Sequence, residues 1–84
     1  MSKQTDIEIM QMLYKDNPTI TEIAEYTGKA LATVHERLKY LEGIGFVKPP
    51  RKPNAARDRT LTDQGVNYLE TNGYIPIKVF PMED

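Results

Sequence analysis

The sequence contains no cysteine, and this absence excludes disulfide bonds, thiolate chemistry and cysteine-based zinc sites. It also has a single histidine, His35, and no acidic pair at metal-ligand spacing, so we expect no bound metal. No apolar run approaches the roughly 18 residues of a membrane span, and the first residues lack the apolar core of a signal peptide. We therefore expect a cytoplasmic protein that makes no contact with a membrane.

Groups for catalysis are equally scarce. The residues present do not assemble a nucleophile–base pair, a glycine loop that cradles phosphate, or a metal cluster, so we expect no enzyme activity, no catalytic residue and no cofactor. Hydrophobic residues make up 39% of the 84 positions, which is enough for the modest core of one small domain and too little for a deep cavity. No small-molecule effector is evident from the sequence.

Positive charge is sparse outside the middle of the chain. The net charge is −1, but eight of the eleven Lys and Arg residues lie between positions 29 and 59, together with three acidic residues. That segment carries a net charge of +5, and the segments before and after it carry −3 each. A basic face on an otherwise mildly acidic domain is the pattern expected of a protein that contacts nucleic-acid phosphates on one side only.

Two short helices joined by a tight turn are predicted within residues 19–47. Thr19 and Glu22 have the spacing of a capping box, which begins a helix of about two turns. Gly28 follows, where a residue without a Cβ turns through positive φ at little cost. A second helix is predicted over residues 30–42. Its buried stripe is predicted to contain Leu31, Val34, Leu38 and Leu41. This spacing is that of a helix-turn-helix, whose second helix enters the DNA major groove; a helical hairpin that only packs is the alternative.

The outward face of the second helix supplies the candidate DNA-contacting residues. With Val34 at the centre of the buried stripe, a rotation of about 100° per residue places five side chains outward. They are Ala32, Thr33, Glu36, Lys39 and Tyr40, with His35 and Arg37 on the two borders. Glu36 is predicted to touch a base edge by accepting from a cytosine amino group, and Thr33 to contact a base or a phosphate. Arg37, Lys39 and Tyr40 are predicted to contact phosphates or, for Arg37, a guanine edge. For each of these residues the alternative to a DNA contact is an ordinary solvated side chain. His35 is expected either to pack on the scaffold or to reach a phosphate.

A basic hairpin is predicted after the second helix. Residues 46–48 and 59–62 are typical of short strands, and the segment 49–58 between them has three prolines and almost nothing to bury. We interpret this hairpin as a wing that lies on the DNA backbone or reaches into the minor groove, where arginine is favoured. Its predicted contacts are Arg51, Lys52, Arg57 and Arg59. A solvated linker is the alternative.

Two further helices and a tail complete the prediction. The first helix is expected over residues 6–15, opened by a capping box of Thr5 and Glu8 after a loose end at residues 1–4. The last helix is expected to be capped by Thr62 or Asp63 and to run to about residue 71, with Val66 and Leu69 inward and Gly73 as its stop. The chain is thus divided into a domain of residues 1–73 and an apolar, extended tail of residues 74–84. The tail either packs on its own domain or covers a partner subunit, and we favour a homodimer suited to a palindromic site.

These elements together resemble the winged helix-turn-helix domain over residues 5–72. Residues 33–47 are similar to the pattern TV…L..LE..G.V of bacterial and archaeal repressors, and RTLTDQG at 59–65 is similar to the R.LT..G segment of MarR-like regulators. The segment TVH..L..LE is also similar to LexA-type DNA-binding domains. The resemblance implies an α+β, mainly α fold with three N-terminal helices, a two-stranded basic wing and a C-terminal helix followed by an extended tail.

The chain departs from that pattern at the start of the recognition helix. Many relatives have Ser or Thr there, where the hydroxyl caps the helix and contacts a phosphate, but this chain has Ala30. Lys29 stands where an apolar residue is common, and it is the candidate to supply the missing phosphate contact.

The expected function is that of a sequence-specific, double-stranded DNA-binding transcriptional regulator of bacterial, archaeal or viral type. The preferred form is a small repressor that acts by occupying a promoter or operator. The alternative is a winged-helix adaptor that makes protein–protein contacts in a larger nucleoprotein assembly, which would be a monomer with weak, salt-labile DNA binding and no sequence preference.

Overall fold

A computed structural model describes residues 2–52 and 55–75, and within these ranges the chain forms four helices and one two-stranded antiparallel sheet. In chain order the elements are α1 (Ser2–Lys15), α2 (Ile20–Thr27), α3 (Leu31–Gly43), β1 (Val47–Lys48), β2 (Thr60–Leu61) and α4 (Asp63–Thr71). The mainly helical winged-helix arrangement predicted from the sequence is confirmed. None of the helices in the described ranges is long and apolar enough to cross a membrane.

The first helix begins earlier than predicted, and the capping box at Thr5 is wrong. Thr5 lies inside α1 and is only 5% exposed, one turn before the fully buried Ile9. The Glu8 carboxylate accepts a hydrogen bond from Gln4 Nε2 at 3.2 Å instead of from the backbone at position 5. Because the buried face of α1 continues through Thr5, packing extends the helix beyond the point where the local sequence pattern would begin it.

The capping box at Thr19 is confirmed. Thr19 Oγ1 accepts from the backbone N–H of Glu22 at 3.0 Å, and the Thr19 N–H donates to the Glu22 carboxylate at 2.9 Å. Gly28 ends α2 with a φ of +72°, the left-handed conformation expected there. Ala30 then occupies the N-cap of α3 in an extended conformation and, as expected for alanine, provides no side-chain cap.

One hydrophobic core joins the helices to the wing. Its residues come from α1, α2, α3, β1 and α4. They are Ile7, Ile9, Met10, Leu13, Ile20, Ile23, Val34, Leu38, Leu41, Val47 and Leu69. Leu31 was predicted to belong to this core, but it is 46% exposed, and that prediction is wrong. The reason is its position: residues 28–32 are all exposed, so none of the described elements covers the first turn of α3.

The wing base and the start of α4 are packed closely together. Val47 pairs with Leu61 in the short antiparallel ladder, and Thr62 Oγ1 caps α4 by accepting from the Gly65 N–H at 3.0 Å. A Cβ at Gly65 would overlap the carbonyl oxygen of Phe46, so glycine is required for this close approach. Thr62 is therefore the cap of α4, and Asp63 is its first residue.

The first residues of the predicted tail pack on the domain. Gln11 Nε2 donates to the carbonyl oxygen of Tyr74 at 2.6 Å, and the Tyr74 and Tyr68 rings lie 6.3 Å apart. Ile75 is partly buried against the core. The remaining tail, residues 76–84, lies outside the described residues, so its predicted role as a dimer contact and the proposed domain boundary stay predictions.

Candidate nucleic-acid interface

The outward face of α3 is polar and open to solvent. Its five residues were defined above as Ala32, Thr33, Glu36, Lys39 and Tyr40. All are exposed except Thr33, which is partly buried, and His35 beside them is also exposed. Lys29 is exposed in the turn that leads into α3. The helical rotation therefore predicted the direction of this face correctly, while the role of each residue in binding stays a prediction.

Arg37 is attached to α1. Its Nε and Nη2 atoms donate to the two carboxylate oxygens of Asp6 at 2.8 and 2.7 Å, and the two side chains are only 23% and 14% exposed. The guanidinium also lies over the Tyr40 ring, 4.4 Å from its centroid. The hydrogen bonds that Arg37 donates to Asp6 raise the pKa of Arg37 above its ordinary value. Two of the five N–H groups of the Arg37 guanidinium are thus used by Asp6, and this geometry favours a structural role over the base contact expected from the sequence.

The outgoing limb of the wing, between β1 and the tip, carries exposed positive charge. Lys48, Arg51 and Lys52 are all exposed. Among the described residues, neither Arg51 nor Lys52 has an ion-pair partner, since the three ion pairs there involve Arg37, Arg57 and Arg59. The guanidinium of Arg51 and the ammonium of Lys52 are thus available to an external anion.

The returning limb is fastened to the domain instead. Arg59 is the more buried of its two arginines, with a side chain that is 12% exposed. Its Nη1 donates to the carbonyl oxygen of Ala55 at 3.0 Å, and its Nε lies 3.8 Å from the Glu42 carboxylate at the end of α3. Arg59 therefore links the returning limb of the wing to α3, whereas the sequence had suggested an outward contact.

Arg57 and Asp58 join the returning limb to the loop between α1 and α2. Arg57 Nη1 donates to the carbonyl oxygen of Asn17 at 2.8 Å and lies 3.7 Å from the Glu22 carboxylate. The Asp58 N–H donates to Asn17 Oδ1 at 2.8 Å, and Asn17 Nδ2 donates back to Asp58 Oδ1 at 2.9 Å. Asn17 was not among the predicted site residues, because Asn-Pro signals a turn but gives no sign of a partner 41 residues away.

The wing lies beside the outward face of α3. A cavity of about 290 Å³ is lined by residues from both, including His35 and Lys39 of α3 and Pro49, Pro50 and Arg59 of the hairpin. The exposed Lys39 of α3 thus lies next to the base of the wing. Within the part of the chain that the structure describes, no cluster of three or more His, Asp or Glu residues is arranged to hold a metal.

Comparison with known proteins places this geometry in a family. The sequence profile of the IclR helix-turn-helix domain matches residues 7–50, which run from α1 past β1. A search of curated proteins gave no match. Two structures of ZitR variants from Lactococcus lactis are each 25% identical, with TM-scores of 0.70 and 0.71. They align with 83% and 84% of this chain and with 49% and 55% of their own chains.

A structure of a MepR variant from S. aureus gives the same fold at lower identity. It is 21% identical with a TM-score of 0.71, and the alignment covers 86% of this chain and 56% of that one. This chain therefore spans about half the length of the solved structures it resembles.

Proposed function

The chain belongs to the IclR helix-turn-helix domain family, and from that membership we propose that it is a sequence-specific repressor that occupies an operator in double-stranded DNA. The family and the fold are those of DNA-binding transcription regulators and not of enzymes. The observation that carries the proposal is the exposed, polar outward face of α3 beside a wing whose Arg51 and Lys52 have no ion-pair partner among the described residues.

In the proposed complex, α3 lies in the major groove and its outward face meets the bases. Thr33 and Glu36 are one turn apart in the first half of the helix, where a recognition helix reads base edges. The small side chain of Ala32 permits close approach of the helix to the groove. Lys39 and Tyr40 lie towards the other end of the helix, and we assign them to backbone phosphates.

Phosphate contacts on either side of α3 complete the proposed footprint. Lys29 supplies the contact that a hydroxyl at Ala30 would otherwise make at the start of the helix. Arg51 and Lys52 meet the backbone or the minor groove at the wing. Arg57 and Arg59 act indirectly, because their guanidinium groups hold the returning limb in place.

We further propose that the protein binds as a homodimer in the cytoplasm, where its DNA target lies. A single α3 reads only a few base pairs, so two copies related by a two-fold axis would provide the length of a specific operator. Half-sites about ten base pairs apart would place both recognition helices on one face of the duplex.

Selection from a randomised duplex library, followed by sequencing, tests this function, with the mass of the protein in solution measured alongside. An enriched palindrome with half-sites about ten base pairs apart, bound by a dimer, is the expected result. A monomer that enriches no sequence and is retained only at low salt would refute sequence-specific repression and favour the adaptor function.

The wing contribution is tested by salt titration of Lys52→Ala. The expected result is a similar loss of affinity for all sequences and a salt slope reduced by about one, since one phosphate contact is lost. Lys3→Ala is the charge-matched control, because Lys3 is an exposed residue of α1, outside the turn, helix and wing to which the phosphate contacts are assigned. An unchanged slope for Lys52→Ala would remove the wing from the proposed interface.

A further inference from the structure

The wing ladder is too short to fix the wing by itself. Its two strands contain two residues each, and the pairs are Val47 with Leu61 and Lys48 with Thr60. Eleven residues, 49–59, separate the two strands in the sequence. The position of this loop therefore depends on contacts outside the ladder, and the described residues provide them at Asn17 and Glu42.

Asn17 makes the more specific of these two attachments. Its side-chain amide makes two hydrogen bonds with the same residue, Asp58. Nδ2 of Asn17 donates to Asp58 Oδ1 at 2.9 Å, and Oδ1 of Asn17 accepts from the Asp58 N–H at 2.8 Å. Its backbone carbonyl accepts a third hydrogen bond, from Arg57 Nη1 at 2.8 Å. Because the amide both donates and accepts, its orientation is fixed, and a side chain of another chemistry at position 17 could not make the same pair of bonds.

The backbone at Asp58 needs such support. Its φ is +71°, and it is the one residue other than glycine with positive φ in the described ranges. Asp and Asn tolerate this left-handed conformation better than other residues with a Cβ, but it remains less favourable than the extended alternatives. The hydrogen bonds with Asn17 hold Asp58 in the conformation that directs the chain back towards Thr60 and β2.

We infer that Asn17 is a positioning residue for DNA binding. By holding Asp58 it fixes the wing, and Arg51 and Lys52 are then held where they contact the phosphate backbone. The inference rests on the proposed DNA-binding function and adds to it a residue in the loop before the helix-turn-helix. Without this attachment the wing must be ordered when DNA binds, and the conformational entropy lost at that step lowers affinity.

The test compares Asn17→Ala with a variant in which the two partners are exchanged. Asn17→Ala removes both side-chain bonds, and we expect it to weaken operator binding by about 3- to 10-fold, the effect of ordering one or two additional side chains. The double variant Asn17→Asp/Asp58→Asn keeps the net charge, and an amide at position 58 can donate to a carboxylate at position 17. Since Asn tolerates positive φ, this exchange is expected to restore most of the affinity.

A second background shows whether Asn17 acts through the wing. In an Arg51→Ala/Lys52→Ala protein the wing has little phosphate contact to lose, so adding Asn17→Ala is expected to cause no further loss of affinity. In the otherwise unchanged protein, Asn17→Ala is expected to reduce the salt slope of binding. Hydrogen exchange at the Asp58 amide is expected to become faster, because its acceptor is lost.

Each contrary outcome has a distinct meaning. Unchanged affinity and salt slope in Asn17→Ala would overturn the inference. An equal loss of affinity in the Arg51→Ala/Lys52→Ala background would also overturn it, since Asn17 would then act by another route. Failure of the unmodified protein to bind any duplex would instead refute the proposed function. In that case unchanged exchange of the Asp58 amide in Asn17→Ala would independently show that Asn17 does not hold the wing.

Discussion

Replacement of Arg37 by alanine is expected to lower the stability of the fold without changing which DNA sequences the protein prefers. The sequence alone favoured the opposite result, because Arg37 lies at the border of the outward face of α3. In the structure, both Nε and Nη2 donate to Asp6 on α1, and the guanidinium lies over Tyr40. The substitution therefore removes a connection between α1 and α3.

The expected magnitude follows from the exposure and number of these contacts. Hydrogen bonds to charged groups contribute about 1.5–3 kcal/mol each when well shielded, whereas fully exposed ion pairs contribute about 0.2–1 kcal/mol. The Arg37 and Asp6 side chains are 23% and 14% exposed, which is between these cases. We expect Arg37→Ala to reduce the free energy of unfolding by about 2 kcal/mol, including a small contribution from the Tyr40 ring.

Urea denaturation of a double-mutant cycle measures this interaction directly. The cycle comprises the unmodified protein, Arg37→Ala, Asp6→Ala and the double variant. The coupling energy is expected to be about 1–2 kcal/mol. A loss of about 2 kcal/mol should lower the melting temperature by roughly 8–16 °C. The raised pKa of Arg37 keeps the guanidinium charged at any pH used for the measurement.

The same variants are then compared in DNA selection at a temperature where all of them are folded. Arg37→Ala is expected to enrich the same operator as the unmodified protein. A coupling energy below about 0.5 kcal/mol, together with a changed base preference for Arg37→Ala, would refute this reasoning and restore Arg37 as a base-reading residue.

Two pairs of substitutions test the local packing and capping by thermal melting. Gly65→Ala is expected to lower stability by about 1–3 kcal/mol, because its Cβ would overlap the Phe46 carbonyl oxygen. The control, Gly43→Ala, has open space and should not lower stability, and equal effects at the two sites would contradict the predicted overlap. Thr19→Ala should cost about 1 kcal/mol by removing a helix cap, whereas Ala30→Ser should stabilise α3 by supplying one. No change at either position would show that these caps contribute little.

Much of the fold could be predicted because its signals are local. The capping box at Thr19, the glycine turn at Gly28 and the cap at Thr62 each involve residues no more than about four positions apart. The buried stripe of α3 was correct from Val34 to Leu41 for the same reason, since helical periodicity depends only on spacing. The two-stranded wing was also predicted at nearly its observed position.

The errors at the helix ends arose where packing overrides the local pattern. Thr5 has the spacing of a cap but lies on the buried face of a helix that begins at Ser2. Leu31 has the spacing of a core residue but lies on a turn that no other element covers. Neither outcome depends on the neighbouring sequence, because each is decided by what lies next to the residue in three dimensions.

The sequence by itself determined the helix-turn-helix, the basic wing and the direction of the outward face. Only the tertiary structure decided which cations on that surface are available to a ligand. Asp6 pairs with Arg37 across 31 positions, and Asn17 holds Arg57 and Asp58 across 40 and 41. A charge count treats all the cations alike, but a cation bound by a distant carboxylate or carbonyl has fewer donors left for a ligand. Chain folding brings such partners together, and no periodicity in the sequence encodes the pairing.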